Sequence, residues 1–262
     1  MYMKFIFDID GTICFKGNPL TEGIIQALDT CHARGHEIIF ASARPIRDLL
    51  PVIPRHMHHY SMIGGNGAFV VKEGKVIEVT PFDKSTMKSI RSLIEEHHLA
   101  YLIDSQWDYA YTGSENHPIY RNIDPDKLAT NVSIDCIDEM VKVVLFPDGN
   151  EEKLVQVLHE LPVQMYAHHQ EDIIDISPLG IDKWKGLQKL GVEEGSFIAF
   201  GNDANDVPMF LHAKEGVCIG DHKMLRSVAS MSLQSNEQCI IEKIIKLSDI
   251  ESRNIWDLMR NL

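Results

Sequence analysis

The sequence predicts an α/β fold: an open parallel-sheet core built from both ends of the chain, interrupted by an inserted α+β cap. Three observations carry that expectation. A strand–helix–strand pattern fills the first forty residues, the same rhythm resumes after Pro178, and the stretch between them follows a different order. At 262 residues the chain is long for one domain and sufficient for two. The expected core is 1–81 with 180–262, and the expected cap is 82–179.

Tyr2 to Phe7 is a short apolar run that ends in acidic residues and Gly11, as expected of a buried strand followed by a loop. Thr21 is placed to cap a helix in which Ile24, Ile25, Leu28 and Cys31 recur at helical spacing, with Gly35 as its stop. His36 to Ala41 reads as a second buried strand, so the pair is parallel and joined by a right-handed crossover. Met62 to Val79 carries Asn-Gly and Glu-Gly turn signals and reads as a strand followed by a hairpin.

After Pro81 a helix from Asp83 (Met87, Ile90, Leu93, Ile94, His97) precedes strand-like runs at Ala100–Asp104 and Trp107–Thr112. A polar stretch, 113–126, separates these from a strand at Met140–Phe146, a helix at Glu151–Glu160, and strands at Val163–Ala167 and Asp172–Ser177. Beyond Pro178 come a helix (Trp184–Leu190), a strand (Ser196–Phe200), a helix (Asp206–Leu211) and a strand (Gly216–Ile219). The last segment, Ile250–Leu262, sets Ile250, Ile255, Leu258, Met259 and Leu262 on one helical face, as expected of a helix docked on the core.

Composition narrows the function classes. With 44% hydrophobic and 24% charged residues the chain supports a packed core. Its formal net charge of −13 repels nucleic-acid backbones and anionic lipid, so neither nucleic acid nor membrane is expected as a partner. The two early carboxylates, Asp8 and Asp10, break any signal-peptide apolar region, and five scattered cysteines suit a reducing compartment. The protein reads as cytoplasmic, and as a monomer or homodimer.

The strongest chemical signal is Asp8-Ile9-Asp10-Gly11-Thr12, directly after a buried strand. Ligands of open parallel sheets bind beyond the carboxyl ends of the strands, so this loop lies where chemistry is expected. Two carboxylates this close repel unless a cation or proton intervenes, which invites Mg²⁺. Alone the motif is also what an acidic turn capping a helix would look like. Ser42 follows the second strand in Ala41-Ser42-Ala43-Arg44, where a hydroxyl and backbone amides suit a phosphate oxygen. Lys183, with Lys185 as its rival, brings a positive charge, and Gly201-Asn202-Asp203-Ala204-Asn205-Asp206 adds oxygen-bearing side chains suited to a hard cation.

This order of motifs resembles the haloacid dehalogenase-like superfamily, and the long insertion between Ser42 and Lys183 resembles its Cof-type subgroup. The Asn66-Gly67-Ala68 turn and the tail pattern Gly216-Val217-Cys218-Ile219-Gly220 with Ser235-Asn236-Glu237 are similar to that subgroup as well. The likeness runs from residue 1 to about 247. It implies a Rossmann-like core with a C2-type cap, and a Mg²⁺-dependent phosphatase acting on a small phosphorylated metabolite such as a sugar phosphate. Asp8 is then the nucleophile that forms an aspartyl-phosphate, and Asp10 the general acid–base. Ser42, Arg44, Lys183 and Asn205 are the substrate-binding candidates, and Asp8, Asp10, Asn202 and Asp206 the metal-binding ones. The same intermediate would serve a phosphomutase, and a non-catalytic phospholigand-binding regulator is the rival from another class.

Two departures stand out. The family pattern has an acid where this chain has Asn202, so either the Asn202 oxygen or Asp203 ligates the metal; Asn202, next to the strand's last Gly, is expected to face it, with Asp203 turned toward a helix cap. Ser42 replaces the more usual threonine and keeps the hydroxyl. The histidine groups at 56–59, 97–98 and 168–169 fit polar loops better than metal sites. In the cap, Trp107, Tyr109, Tyr111 and His117 are candidates for the entrance.

Overall fold

The computed structural model describes residues 3–147, 149, 151–168 and 172–260. The first strand, β1 (Lys4–Phe7), starts after Tyr2, which lies outside the described residues. Helix α1 (Glu22–Ala33) begins where Thr21 Oγ1 accepts the Ile24 amide, and it buries Ile24, Ala27, Leu28 and Cys31. It leads into β2 (Glu37–Ala41), paired in parallel with β1. A single turn, α2 (Ile46–Leu49), precedes β3 (Ser61–Gly64) and the hairpin β4 (Phe69–Lys72) and β5 (Lys75–Val79).

The insertion then builds its own sheet. Asp83 caps α3 (Lys84–His97), accepting the amides of Ser85 and Thr86. Strands β6 (Ala100–Asp104), β7 (Tyr109–Tyr111) and β8 (Lys142–Phe146) follow, then α4 (Glu151–Leu158), β9 (Val163–His168) and β10 (Ile173–Pro178). Their order is β7-β6-β8-β10-β9, all antiparallel. One face, with Tyr101, Ile103, Val143, Leu145, Ile174 and Ile176, packs with Ile90, Leu93 and Ile94 of α3 and Leu154 and Leu158 of α4.

The chain returns through α5 (Lys183–Lys189), β11 (Phe197–Gly201), α6 (Val207–Phe210), β12 (Glu215–Ile219), α7 (Lys223–Val228), β13 (Met231–Leu233) and α8 (Glu237–Arg260). The core sheet has the order β13-β12-β11-β1-β2-β3-β4-β5, parallel except where β4 and β5 fold back. Phe5 and Phe7 face α1 and α8, whereas Ile6 faces the side packed by Trp184, Leu187 and Met209, so β1 is covered on both faces. Strand order reverses at β1, with β2 on one side and β11 on the other, and this places the ligand crevice at the carboxyl ends of the three central strands.

Two expectations need correction, and two short elements were not foreseen. Helix 206–211 is a 3₁₀ turn at Ala204–Asp206 followed by α6, because Pro208 at the start of α6 limits a longer helix. The short elements α7 and β13 carry too few residues for a readable period. The C-terminal helix starts thirteen residues before Ile250 and docks through Ile240, Ile244 and Leu247; the side chains of Ile255, Leu258, Met259 and Leu262 lie outside the described residues. Among the described residues no helix is long and apolar enough to cross a membrane.

Candidate active site

Asp8 follows the last residue of β1, and its amide donates to the Phe200 carbonyl of β11 at 2.9 Å. Its carboxylate is held on both sides: Lys183 Nζ is 2.7 Å from Oδ1, and Thr12 Oγ1 donates to Oδ2 at 2.7 Å. Lys183 also donates to Asp206 Oδ1 at 2.6 Å, so one buried ammonium serves two buried carboxylates. Burial, together with Asp206, pushes the Asp8 carboxyl up to about 7 despite Lys183. The excess negative charge is what a cation or a cationic donor would relieve. Lys183 reaches this point because α5 comes close to the 65–67 turn: a Cβ on Gly67, at φ +113, would lie 2.2 Å from the Asp182 carbonyl oxygen. Lys185 instead reaches Gln188, so it is Lys183 that enters the site.

Asp10 is half open to the cavity, and Arg44 grips it in a bidentate pair, Nε to Oδ2 at 2.7 Å and Nη2 to Oδ1 at 2.5 Å. Arg44 Nη1 donates to the Asp48 carbonyl. The guanidinium expected on the substrate therefore orients Asp10. Ser42 Oγ accepts the Arg44 amide at 3.1 Å beside it.

In the 201–206 loop the side chain of Asn202 turns toward Asp8, and that of Asp203 does not. The amide head of Asn202 comes within 3.0 Å of Asp8 Oδ2, 3.0 Å of the Asp10 carbonyl oxygen and 3.2 Å of Thr12 Oγ1. Gly11, at φ +79, lies against it, and a Cβ there would meet Asn202 Nδ2 at 2.2 Å. Asp203 caps the 3₁₀ turn, with Oδ1 accepting the Ala204 amide at 2.7 Å. Asp206, expected as a metal ligand, has both oxygens engaged: Oδ1 by Lys183, Oδ2 by the amides of Asn202 and Asp203. It anchors the loop and Lys183.

Oxygens bound to Mg²⁺ at about 2.0–2.1 Å in an octahedron lie roughly 2.8–3.0 Å apart. With its oxygen turned inward, the Asn202 head keeps that spacing to Asp8 Oδ2 and the Asp10 carbonyl, so these residues fit a hard cation. With the NH₂ turned inward, the same head donates to both and stands in for the charge. Among the described residues no three His, Cys, Asp or Glu side chains form a cation-binding group.

Asn205 Nδ2 donates to Asn66 Oδ1 at 3.1 Å, and Asn66 Nδ2 to Asp175 Oδ2 at 3.3 Å, where Lys142 also pairs at 2.8 Å. This chain runs from the core into the cap. A second connection is made by Arg47, buried at 2% exposure, which pairs with Asp48 and with Asp104 of β6 and donates to the Trp107 carbonyl. Sequence reasoning noted Asn66 only as part of a turn, and missed Arg47, Asp48, Asp104, Lys142 and Asp175. A charge interrupting an apolar strand, as in Ile173-Ile174-Asp175-Ile176, is the signal that could have found the last three.

Core and cap enclose a cavity of about 370 Å³ lined by Asp8, Asp10, Ser42, Arg44, Asn202 and Asn205 from below. Leu102, Asp104, Lys142, Val144, Ile173 and Asp175 line it from the cap. Trp107, Tyr109, Tyr111 and His117 are not in this lining: Trp107 Nε1 donates to Leu128, Tyr109 stacks under Arg47, and Tyr111 donates to Ser114.

The haloacid dehalogenase-like hydrolase family profile matches residues 5–245. The chain belongs to this family. YkrA of Bacillus subtilis is 25% identical over 225 residues, spanning 82% of this chain and 85% of its own length. YitU of the same organism, a 5-amino-6-(5-phospho-D-ribitylamino)uracil phosphatase, is 22% identical over 259 residues, spanning 91% of this chain and 94% of its own. The solved structure of the subclass IIB sugar phosphatase BT4131 superposes with a TM-score of 0.79 at 21% identity, covering 95% of this chain and 99% of that one. That last likeness establishes the shared fold: a parallel-sheet core carrying a cap with its own antiparallel sheet.

Proposed function

We propose that this haloacid dehalogenase-like phosphatase hydrolyses the phosphomonoester of a small metabolite through an aspartyl-phosphate on Asp8. The observation that carries the reading is the convergence of Asp8, Asp10 and Ser42 on one cavity, with Asp8 buried against Lys183 behind it.

In the first half-reaction an Asp8 carboxylate oxygen bonds to phosphorus while the ester P–O bond breaks, and Asp10 gives its proton to the leaving oxygen. In the second, Asp10 takes a proton from water, the water oxygen bonds to phosphorus, and the Asp8 O–P bond breaks to free phosphate. Lys183 steadies the Asp8 carboxylate, and the Ser42 hydroxyl and Asn205 amide are the groups available to the phosphoryl oxygens. Arg44 holds Asp10 toward the leaving group. Mg²⁺, held by Asp8, the Asp10 carbonyl and Asn202, would supply the charge that offsets repulsion between carboxylate and phosphoryl group.

The test is phosphate release from a panel of phosphorylated sugars, polyols and cofactors with Mg²⁺, combined with acid-stable radiolabelling of the protein from a labelled ester. Turnover with one label per chain, lost in Asp8→Asn, is the expected result. Turnover without any label on Asp8 would overturn the covalent scheme.

A further inference from the structure

The cap sheet turns its second face to the core, and that face is divided in its chemistry. Side chains alternate along a strand, so Leu102 and Asp104 of β6, Lys142 and Val144 of β8, and Ile173 and Asp175 of β10 all point to the cavity. Asp104, Lys142 and Asp175 sit at the end that touches the core, through Arg47 and Asn66. Leu102, Val144 and Ile173 form an apolar strip beside them, backed by Ile123 and Tyr111.

Each of the two carboxylates is fixed by one oxygen only. Asp104 Oδ1 accepts from Arg47 at 2.8 Å, and Asp175 Oδ2 from Lys142 at 2.8 Å and Asn66 at 3.3 Å. Their other oxygens, Asp104 Oδ2 and Asp175 Oδ1, are buried with no hydrogen-bond partner, as is the Ser177 hydroxyl on the same face of β10. Asp104 is 0% exposed and Asp175 3%. Buried carboxylate oxygens are costly to leave unpaired, and native sites rarely do so without a reason. Among the described residues no donor completes them, and one carried by a molecule filling the cavity would.

We propose that Asp104 and Asp175 are specificity-determining residues that read the leaving group. They accept hydroxyl or amino hydrogens on carbons close to the ester oxygen and turn away a leaving group that carries a carboxylate there. This rests on the phosphatase reading above. An incoming carboxylate would face two like charges, with Lys142 already committed to Asp175 and Arg47 to Asp48 and Asp104. Of the other cations of the lining, Arg44 is committed to Asp10, and Lys16 and Arg121 are on exposed positions where water screens them. The apolar strip then accommodates the carbon skeleton beyond the donors.

Glycerol 3-phosphate and 3-phosphoglycerate form a suitable probe pair, because they differ by a CH₂OH in place of a carboxylate. The wild-type protein is expected to favour the alcohol in kcat/KM by on the order of 10–100-fold. Asp104→Asn and Asp175→Asn, which keep the shape and remove the charge, are expected to shrink that ratio at least several-fold, chiefly through KM. Equal wild-type turnover of the two esters, or a preference for the acid, overturns the proposal. So does a loss in either variant that scales both esters alike, the mark of a structural role. If the wild type releases no phosphate from any ester, p-nitrophenyl phosphate included, the phosphatase reading falls. Calorimetric binding of the same pair then decides the selectivity, with tighter binding of the acid counting against it.

Discussion

Lys183 Nζ lies 2.7 Å from Asp8 Oδ1, and neither side chain is more than 7% exposed. The same ammonium holds Asp206, so Lys183→Met leaves two carboxylates buried around an apolar side chain. Removing one partner from a buried ion pair typically costs about 3–5 kcal/mol. Urea denaturation should register a loss of that order. Asp8→Asn keeps the shape, relieves one of the two negative charges on Lys183, and should leave the midpoint nearly in place while abolishing turnover.

The Arg44–Asp10 pair gives a sharper test of roles. Asp10→Asn should lower kcat by on the order of 10²–10⁴ with alkyl phosphates, as expected of a lost general acid–base. Arg44→Lys, which cannot reproduce the two-point grip, should show a smaller loss of the same kind. In both variants the loss should narrow with p-nitrophenyl phosphate, whose leaving group needs little protonation in the first step. An equal loss on both types of ester would separate Arg44 from acid catalysis.

Asn202→Asp adds a formal charge beside Asp8 Oδ2 and the Asp10 carbonyl, and should lower the Mg²⁺ concentration needed for half-maximal activity. Asp203→Asn retains the capping oxygen and should leave that requirement unchanged. Calorimetric Mg²⁺ titration of both variants checks the order independently of turnover. A steep rise in the requirement for Asp203→Asn, with no change for Asn202→Asp, would assign the ligand to Asp203.

Arg47 joins the core to Asp104 and the Trp107 carbonyl of the cap, and stacks on the Tyr109 ring at 4.6 Å. Arg47→Met should free the cap from this contact and raise the radius of gyration measured by small-angle scattering. Vanadate, filling the phosphoryl site, should restore part of the compaction. An unchanged radius in the variant would mean that the other core–cap contacts, Asn66 with Asp175 and the Asp124 amide on Asp48 Oδ1, suffice to hold the cap.

Much of the site was readable before any coordinates. The turn at Gly11 after an apolar strand, the serine after the second strand, and the acidic loop after Phe200 each sit at the end of a parallel strand, and local pattern identifies such positions. Residue order also carried the choice of Asn202 over Asp203 as the side chain facing Asp8, because it is the first residue past Gly201. What local pattern could not contain was commitment. Arg44, expected on the substrate, pairs with Asp10; Asp206, expected on the metal, accepts from Lys183 and two amides. A sequence names which polar groups are present, whereas hydrogen-bond partners are allotted only when distant segments meet. The cap side of the cavity illustrates the same limit: Asp104, Lys142 and Asp175 lie on three strands up to 71 residues apart, and antiparallel pairing alone brings them to one face. The sequence by itself therefore determined the strand ends where chemistry gathers. Tertiary structure decided which of those charges pair with one another and which oxygens are left for the substrate.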